Sequence, residues 1–100
     1  MLKHIIMFKL KEEYGGKSRE ENAEKLIAMS RSLVGKIPTL RFSETHADCA
    51  KSPISFDVVI ELSFDDPEGL QSFHEHPLHQ ELVRFADAAS AQLAAVDYVY

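Results

Sequence analysis

Three histidines, His74, His76 and His79, fall within the stretch FHEHPLHQ at residues 73–80, on both sides of a proline, and the chain has only five. Imidazole is the side chain whose charge turns over nearest neutral pH. Such a cluster can move protons, ligate a metal, or only mark a helix junction. A structural or catalytic zinc needs three or four converging donors. His76 and His79 have His-x-x-His spacing, but Pro77 redirects the chain between them and no further convergent donor is evident. No metal site is predicted.

Proton chemistry suits one of the three best. The residue before a proline avoids the helical region, and proline is welcome at the first helical position, so a fresh helix should begin at Pro77. His79 is then its third residue. The partial positive charge of a helix N-terminus and an apolar wall both disfavour the imidazolium, which should lower its pKa below about 6.5. A neutral imidazole can accept a proton, and His79 is the candidate general base. The bland reading is a histidine packed on the sheet and bonded to backbone. His76 falls at the cap of the new helix and is a candidate ligand contact. His74, before the break, is expected in solvent. A fourth histidine, His4, alternates with Leu2, Ile6 and Phe8 and should point where they point. A buried imidazole needs a partner, which can be a ligand, a water or the His79 region.

The elements that must position these groups follow from periodicity. Residues 1–11 read as a strand, with Leu2, His4, Ile6, Phe8 and Leu10 on one face and Lys3, Ile5, Met7 and Lys9 on the other. Gly15-Gly16 breaks the chain. Residues 18–36 predict a helix that opens on a Ser18/Glu21 capping box. Its apolar stripe is Ala23, Leu26, Ile27, Ser30, Leu33 and Val34, with Gly35 at its end. Strands are expected over residues 40–46 and 56–64, with a polar loop between them. Asp66-Pro67 starts a helix that carries Leu70 and Phe73 inward. From Pro77, Leu78, Leu82, Phe85, Ala86 and Ala89 form the next stripe, and residues 93–100 close as a fourth strand. This β-α-β-β-α-α-β order predicts an α+β fold, an antiparallel sheet with its helices on one face. The other face, with Ile5, Met7 and Val59 among Lys9 and Glu61, is half apolar and calls for a cover. A second copy of the chain is the simplest one.

Composition narrows the partners. One hundred residues suit one domain over 1–100. A net charge of −5 argues against nucleic acid and against anionic membrane surfaces as partners. The lone Cys49 excludes an internal disulfide and fits a cytoplasmic location. The apolar stretch IIMF is too short for a signal core, and no span approaches transmembrane length. No nucleophile motif, phosphate-cradling glycine loop or dinucleotide fingerprint is present, and no cofactor is expected.

Nearly the whole chain resembles the stress-responsive α/β-barrel (Dabb) domains, through KHIIMFKLK, KIPTL, FDVVIELSF, HPLH and VDYVY in that order. The resemblance implies a ferredoxin-like subunit that dimerises through its sheets into a homodimeric α/β barrel. One branch of the family looks like plant polyketide cyclases, which close a ring by cofactor-free aldol chemistry. That branch implies a histidine at His79 acting with a tyrosine at Phe73, and further pocket histidines at His4 and Val58. This chain keeps His4, His76 and His79 and departs at Phe73 and Val58. The reading reached is a homodimer that binds a small apolar organic ligand between helices and sheet. His4, His76 and His79 supply polar groups, and Ile27, Val58, Ile60 and Phe73 supply walls. The alternatives are a cofactor-free cyclase-like or monooxygenase-like enzyme with His79 as general base, and a non-catalytic stress-protective dimer.

Overall fold

The computed structural model describes residues 1–100, as β1 (Leu2–Leu10), β2 (Glu13–Tyr14), β3 (Lys17–Ser18), α1 (Arg19–Ser32), β4 (Phe42–Ala47), β5 (Val58–Phe64), α2 (Pro67–Glu75), α3 (Pro77–Ala89) and β6 (Ser90–Val99). Four strands form one antiparallel sheet in the order β4-β5-β1-β6. The register places His4 opposite Leu62 of β5 on one side and opposite Asp97 of β6 on the other.

The alternation in β1 sorts its side chains as expected. Leu2, His4, Phe8 and Leu10 are buried. With Val58, Ile60, Leu62 and Phe64 of β5 they form a floor, over which Leu26 of α1, Phe73 of α2 and Leu82, Ala86 and Ala89 of α3 close the core. The opposite face carries no helix and leaves Met7, Phe42, Val96 and Tyr98 exposed. Lys3 arches over it, its Nζ 4.9 Å from the centre of the Phe42 ring. None of the helices is long and apolar enough to cross a membrane.

The boundaries depart from the sequence pattern where local hydrogen bonds override it. Gly15 and Gly16 do more than break the chain. Both have positive φ, 63° and 78°, the requirement of a tight two-residue hairpin turn, and they join β2 to β3. Two-residue strands carry no periodicity, so the hairpin left no pattern to find. The capping box forms: Ser18 Oγ accepts from the Glu21 N–H at 3.2 Å, and the Glu21 carboxylate accepts from the Ser18 N–H at 3.1 Å. α1 stops at Ser32, four residues short of the expected end, because the Leu33 and Val34 N–H groups turn back to Ser30 and Arg31 in three-residue steps. Val34 is therefore exposed and leaves the apolar stripe. β6 begins at Ser90, three residues early. Ser90 pairs with Leu10, and the Lys11 N–H donates to the Ala89 carbonyl at 2.9 Å, so β1 captures residues with no strand propensity of their own. β5 begins at Val58. Just before it, the Asp57 carboxylate accepts from the Leu10 N–H at 2.7 Å and ties the two strands together.

Candidate functional site

The helix junction is built by two caps. The Asp66 carboxylate accepts from the Gly69 N–H at 2.8 Å, and Pro67 opens α2. Nine residues later His76 leaves the helical region at φ −68°, ψ 133°, and Pro77 opens α3. His76 Nδ1 accepts from the Leu78 N–H at 3.2 Å. The junction thus swings α3 across the side of α2 and lays the His79 ring against Phe73, with centroids 4.3 Å apart.

A cavity of about 200 Å³ lies between this junction and the sheet. Its floor is His4, Ile6 and Phe8 of β1 with Ile60 and Leu62 of β5. Its roof includes Phe73 and His74 of α2 and His79, Leu82 and Asp87 of α3. Ser30 of α1 and Leu33, just past its end, close one side. The Ser30 hydroxyl is already paired with that of Thr45, at 2.7 Å.

Of the residues singled out from the sequence, the cavity brings together His4, His79, Ile60 and Phe73. Three others lie elsewhere. The His76 ring is turned to the backbone it caps. Ile27 sits about a quarter-turn of helix from Leu26, which takes the inward position. It borders a separate shallow depression with Ala23 and Ala47 instead. Val58 stands opposite Phe8 at the start of β5, wholly enclosed by the core and one inward position short of the cavity.

His74 is exposed, as expected, and it borders the cavity as well. Its ring centroid lies 5.8 Å from that of His4 and 5.3 Å from that of His79. Adjacent helical residues are turned by about 100°, so an inward Phe73 leaves His74 on the shoulder of α2 rather than on its outer face. The bend at His76-Pro77 then folds α3 against that shoulder. Three imidazoles stand in a row from strand to helix.

The electrostatics differ along this row. Burial is the main cause that pushes His79 down to about 4, and the charges of His74 and His4 act in the same direction. The backbone of His74 opposes them in part. His79 Nδ1 is buried without a hydrogen-bond partner. Burial also lowers His74, with the charge of His4 acting likewise and that of Asp97 opposing. The buried His4 is held differently: its Nδ1 pairs with the Asp97 carboxylate across β1 and β6. Asp97 was not singled out from the sequence. Its signal was parity, because Leu93, Ala95, Asp97 and Val99 share one face of β6, the face of His4. An acidic residue in that row and a partnerless histidine in the next are each other's explanation.

Similarity to known proteins agrees with this architecture. The family model described as the stress responsive A/B barrel domain (Dabb) matches residues 2–100. An uncharacterised protein of Streptomyces coelicolor is 34% identical over 80 residues, 80% of this chain and 80% of that protein. A dimeric ferredoxin-like protein of unknown function from Thermobifida fusca superposes with a TM-score of 0.86 at 20% identity, covering 99% of this chain and 90% of that one. A hydroxynitrile lyase from Passiflora edulis superposes with a TM-score of 0.83 at 16% identity, covering 99% and 92%. At these identities the superpositions establish the ferredoxin-like α+β fold.

Proposed function

The chain belongs to the stress responsive A/B barrel domain family, and from that premise we propose that it binds a small, mainly apolar organic molecule in the cavity between helices and sheet. One observation carries the reading: an apolar cavity of about 200 Å³ has two differently held imidazoles, His4 and His79, in its wall. Ile60, Leu62, Phe73 and Leu82 supply apolar surface, and the imidazoles supply the few polar contacts that orient a ligand. The test is an NMR titration with ethylbenzene, a probe that offers apolar surface alone. Resonances of Ile60, Leu82 and both rings should shift together and saturate. Ala86→Phe, which fills the cavity from α3, should abolish the response. Saturation without any shift at the cavity would overturn the reading.

The open sheet face supports a homodimer as the unit that does this. Met7, Phe42, Val96 and Tyr98 are exposed there, and the structural relative from Thermobifida fusca is dimeric. Light scattering at micromolar concentration should report twice the 11.3 kDa chain mass. A monomer would remove sheet-to-sheet pairing from the account.

A second reading, a cofactor-free enzyme that moves a proton, is favoured by the pairing of His4 with Asp97. Base chemistry of the cyclase kind needs a second proton-handling group beside His79, and Phe73 has no hydroxyl to offer. A carboxylate that fixes an imidazole tautomer, leaving Nε2 free, is a recurrent way of preparing such a group. His79, neutral at pH 7, can accept a proton, although a pKa of about 4 makes it a weak base. The Passiflora edulis protein with this fold is a lyase. A non-catalytic protective dimer is the outcome if neither ligand uptake nor turnover is found.

A further inference from the structure

The polar groups in the cavity wall are unbalanced in charge. They comprise three imidazoles, a hydroxyl and the Asp87 carboxylate, and no lysine or arginine is among the lining residues. A second carboxylate, Asp97, stands behind His4. The Ser30 hydroxyl is engaged by Thr45. From these groups and the size of the space we propose that the cavity selects uncharged single-ring hydroxyl compounds, phenols above all, and rejects carboxylates. This inference rests on the ligand-binding reading above and names the class of molecule that the same site takes.

Size sets the first limit. An apolar cavity of about 150 Å³ holds one benzene ring. The space here, about 200 Å³, accommodates one ring with a short substituent and leaves little for a second.

Charge sets the next. A buried carboxylate has to be met by a cation or by several donors. His79 stays neutral at pH 7, and burial holds His74 down as well, so the helix wall offers no positive charge. The Nδ1 of His4 is committed to Asp97. A bound carboxylate would also face Asp87 on the roof and Asp97 beyond the floor, both of its own sign. A hydroxyl meets none of these obstacles. A neutral imidazole keeps one nitrogen lone pair, which accepts from an O–H. His79 Nδ1 is closed off and has no protein partner, so the acceptor an arriving O–H meets is Nε2, on the part of the ring that borders the cavity.

The experiment compares three probes of one shape at pH 7 by calorimetry: 4-ethylphenol, ethylbenzene and 4-ethylbenzoate. One added hydrogen bond should make 4-ethylphenol bind about tenfold tighter than ethylbenzene. An unpaired buried charge should leave 4-ethylbenzoate at least about a hundredfold weaker than the phenol. In His79→Phe the ratio of phenol to ethylbenzene should fall towards one. Equal affinity of ethylbenzene and the phenol in the wild type would overturn the hydroxyl selection and leave the ligand-binding reading intact. Binding of 4-ethylbenzoate as tight as the phenol would overturn the charge selection, likewise alone. Failure of all three probes to bind would overturn this inference and the ligand-binding reading together.

Discussion

On the strand wall of the cavity His4 rests against Asp97 of the neighbouring strand; on the helix wall His79 has a buried Nδ1 that nothing pairs and a ring laid on Phe73. The two walls arrive at these arrangements by different physics. A β-ladder fixes which residues stand opposite, so one register decision gives His4 its carboxylate. A helix start gives His79 no such partner. What it gives is position, two residues past a proline and half-buried, where the charged form is disfavoured. The strand wall therefore orients its imidazole, and the helix wall keeps its own neutral. The strand wall depends on a single contact, whereas the helix wall depends on packing, and the two should break by very different amounts.

The largest effect is expected on the helix wall. Phe73 is buried, with its ring 5.2 Å from that of Phe64 and 4.3 Å from that of His79. Phe73→Ala should cost about 3–5 kcal/mol, because it loses apolar transfer energy and enlarges a cavity that already exists. Urea unfolding measures this. Water admitted beside His79 should also raise its pKa back towards the ordinary histidine value, visible in an NMR titration. A loss below about 1 kcal/mol would mean that the helix wall does not depend on packing after all.

The next effect is pH dependence, and its sign follows from the His79 shift. The folded state holds His79 at about 4, below an unfolded value of about 6.5. The unfolded chain takes up the proton first, so stability is complete above about pH 6.5 and is lost as pH falls towards 4. His74 is lowered too and adds to the loss with the same sign. Because His79 is only partly buried, solvent screening cuts the loss to about 1–2 kcal/mol, well under the full linkage value. Stability of the wild type should therefore fall between pH 6.5 and 4, and His79→Gln should fall less steeply. Parallel slopes for the two proteins would show that the helix wall does not keep His79 neutral.

The contrast between the walls also marks how far the sequence could be read. The fold, the capping box, both proline-started helices and the inward row of β1 were legible, since each is a local pattern of spacing or of cap chemistry. What escaped were consequences of pairing between distant segments. Asp97 becomes a partner of His4 only once β6 lies beside β1. Residues Ser90 to Gln92 become strand only because β1 captures them. His74 is exposed as its place before the break implies, but its position beside the cavity is set by α3, an element that follows it. Ile27 and Val58 carried the right hydrophobicity for a cavity wall, but their direction depended on which neighbour took the inward position.

The smallest effect is expected at Asp97, and it discriminates best between two views of the strand wall. The Asp97 side chain is 47% exposed, whereas that of His4 is 11% exposed. If the pair stabilises the fold chiefly by charge, Asp97→Asn should be severe, since it removes the charge from beside a buried ring. If the carboxylate chiefly orients the ring, the substitution should be mild. The asparagine carbonyl still accepts from the Nδ1–H, so no buried donor is stranded. Exposure favours the mild outcome, because water already competes for the carboxylate and an exposed ion pair contributes little. The expected loss is about 0.5 kcal/mol or less, read as a small shift of the unfolding midpoint at unchanged slope. Asp97→Leu should cost about 1–3 kcal/mol, because it leaves the His4 Nδ1–H with no acceptor at all. A leucine variant as stable as the asparagine one would show that His4 finds another partner, and the strand wall would then be no more fixed than the helix wall opposite it.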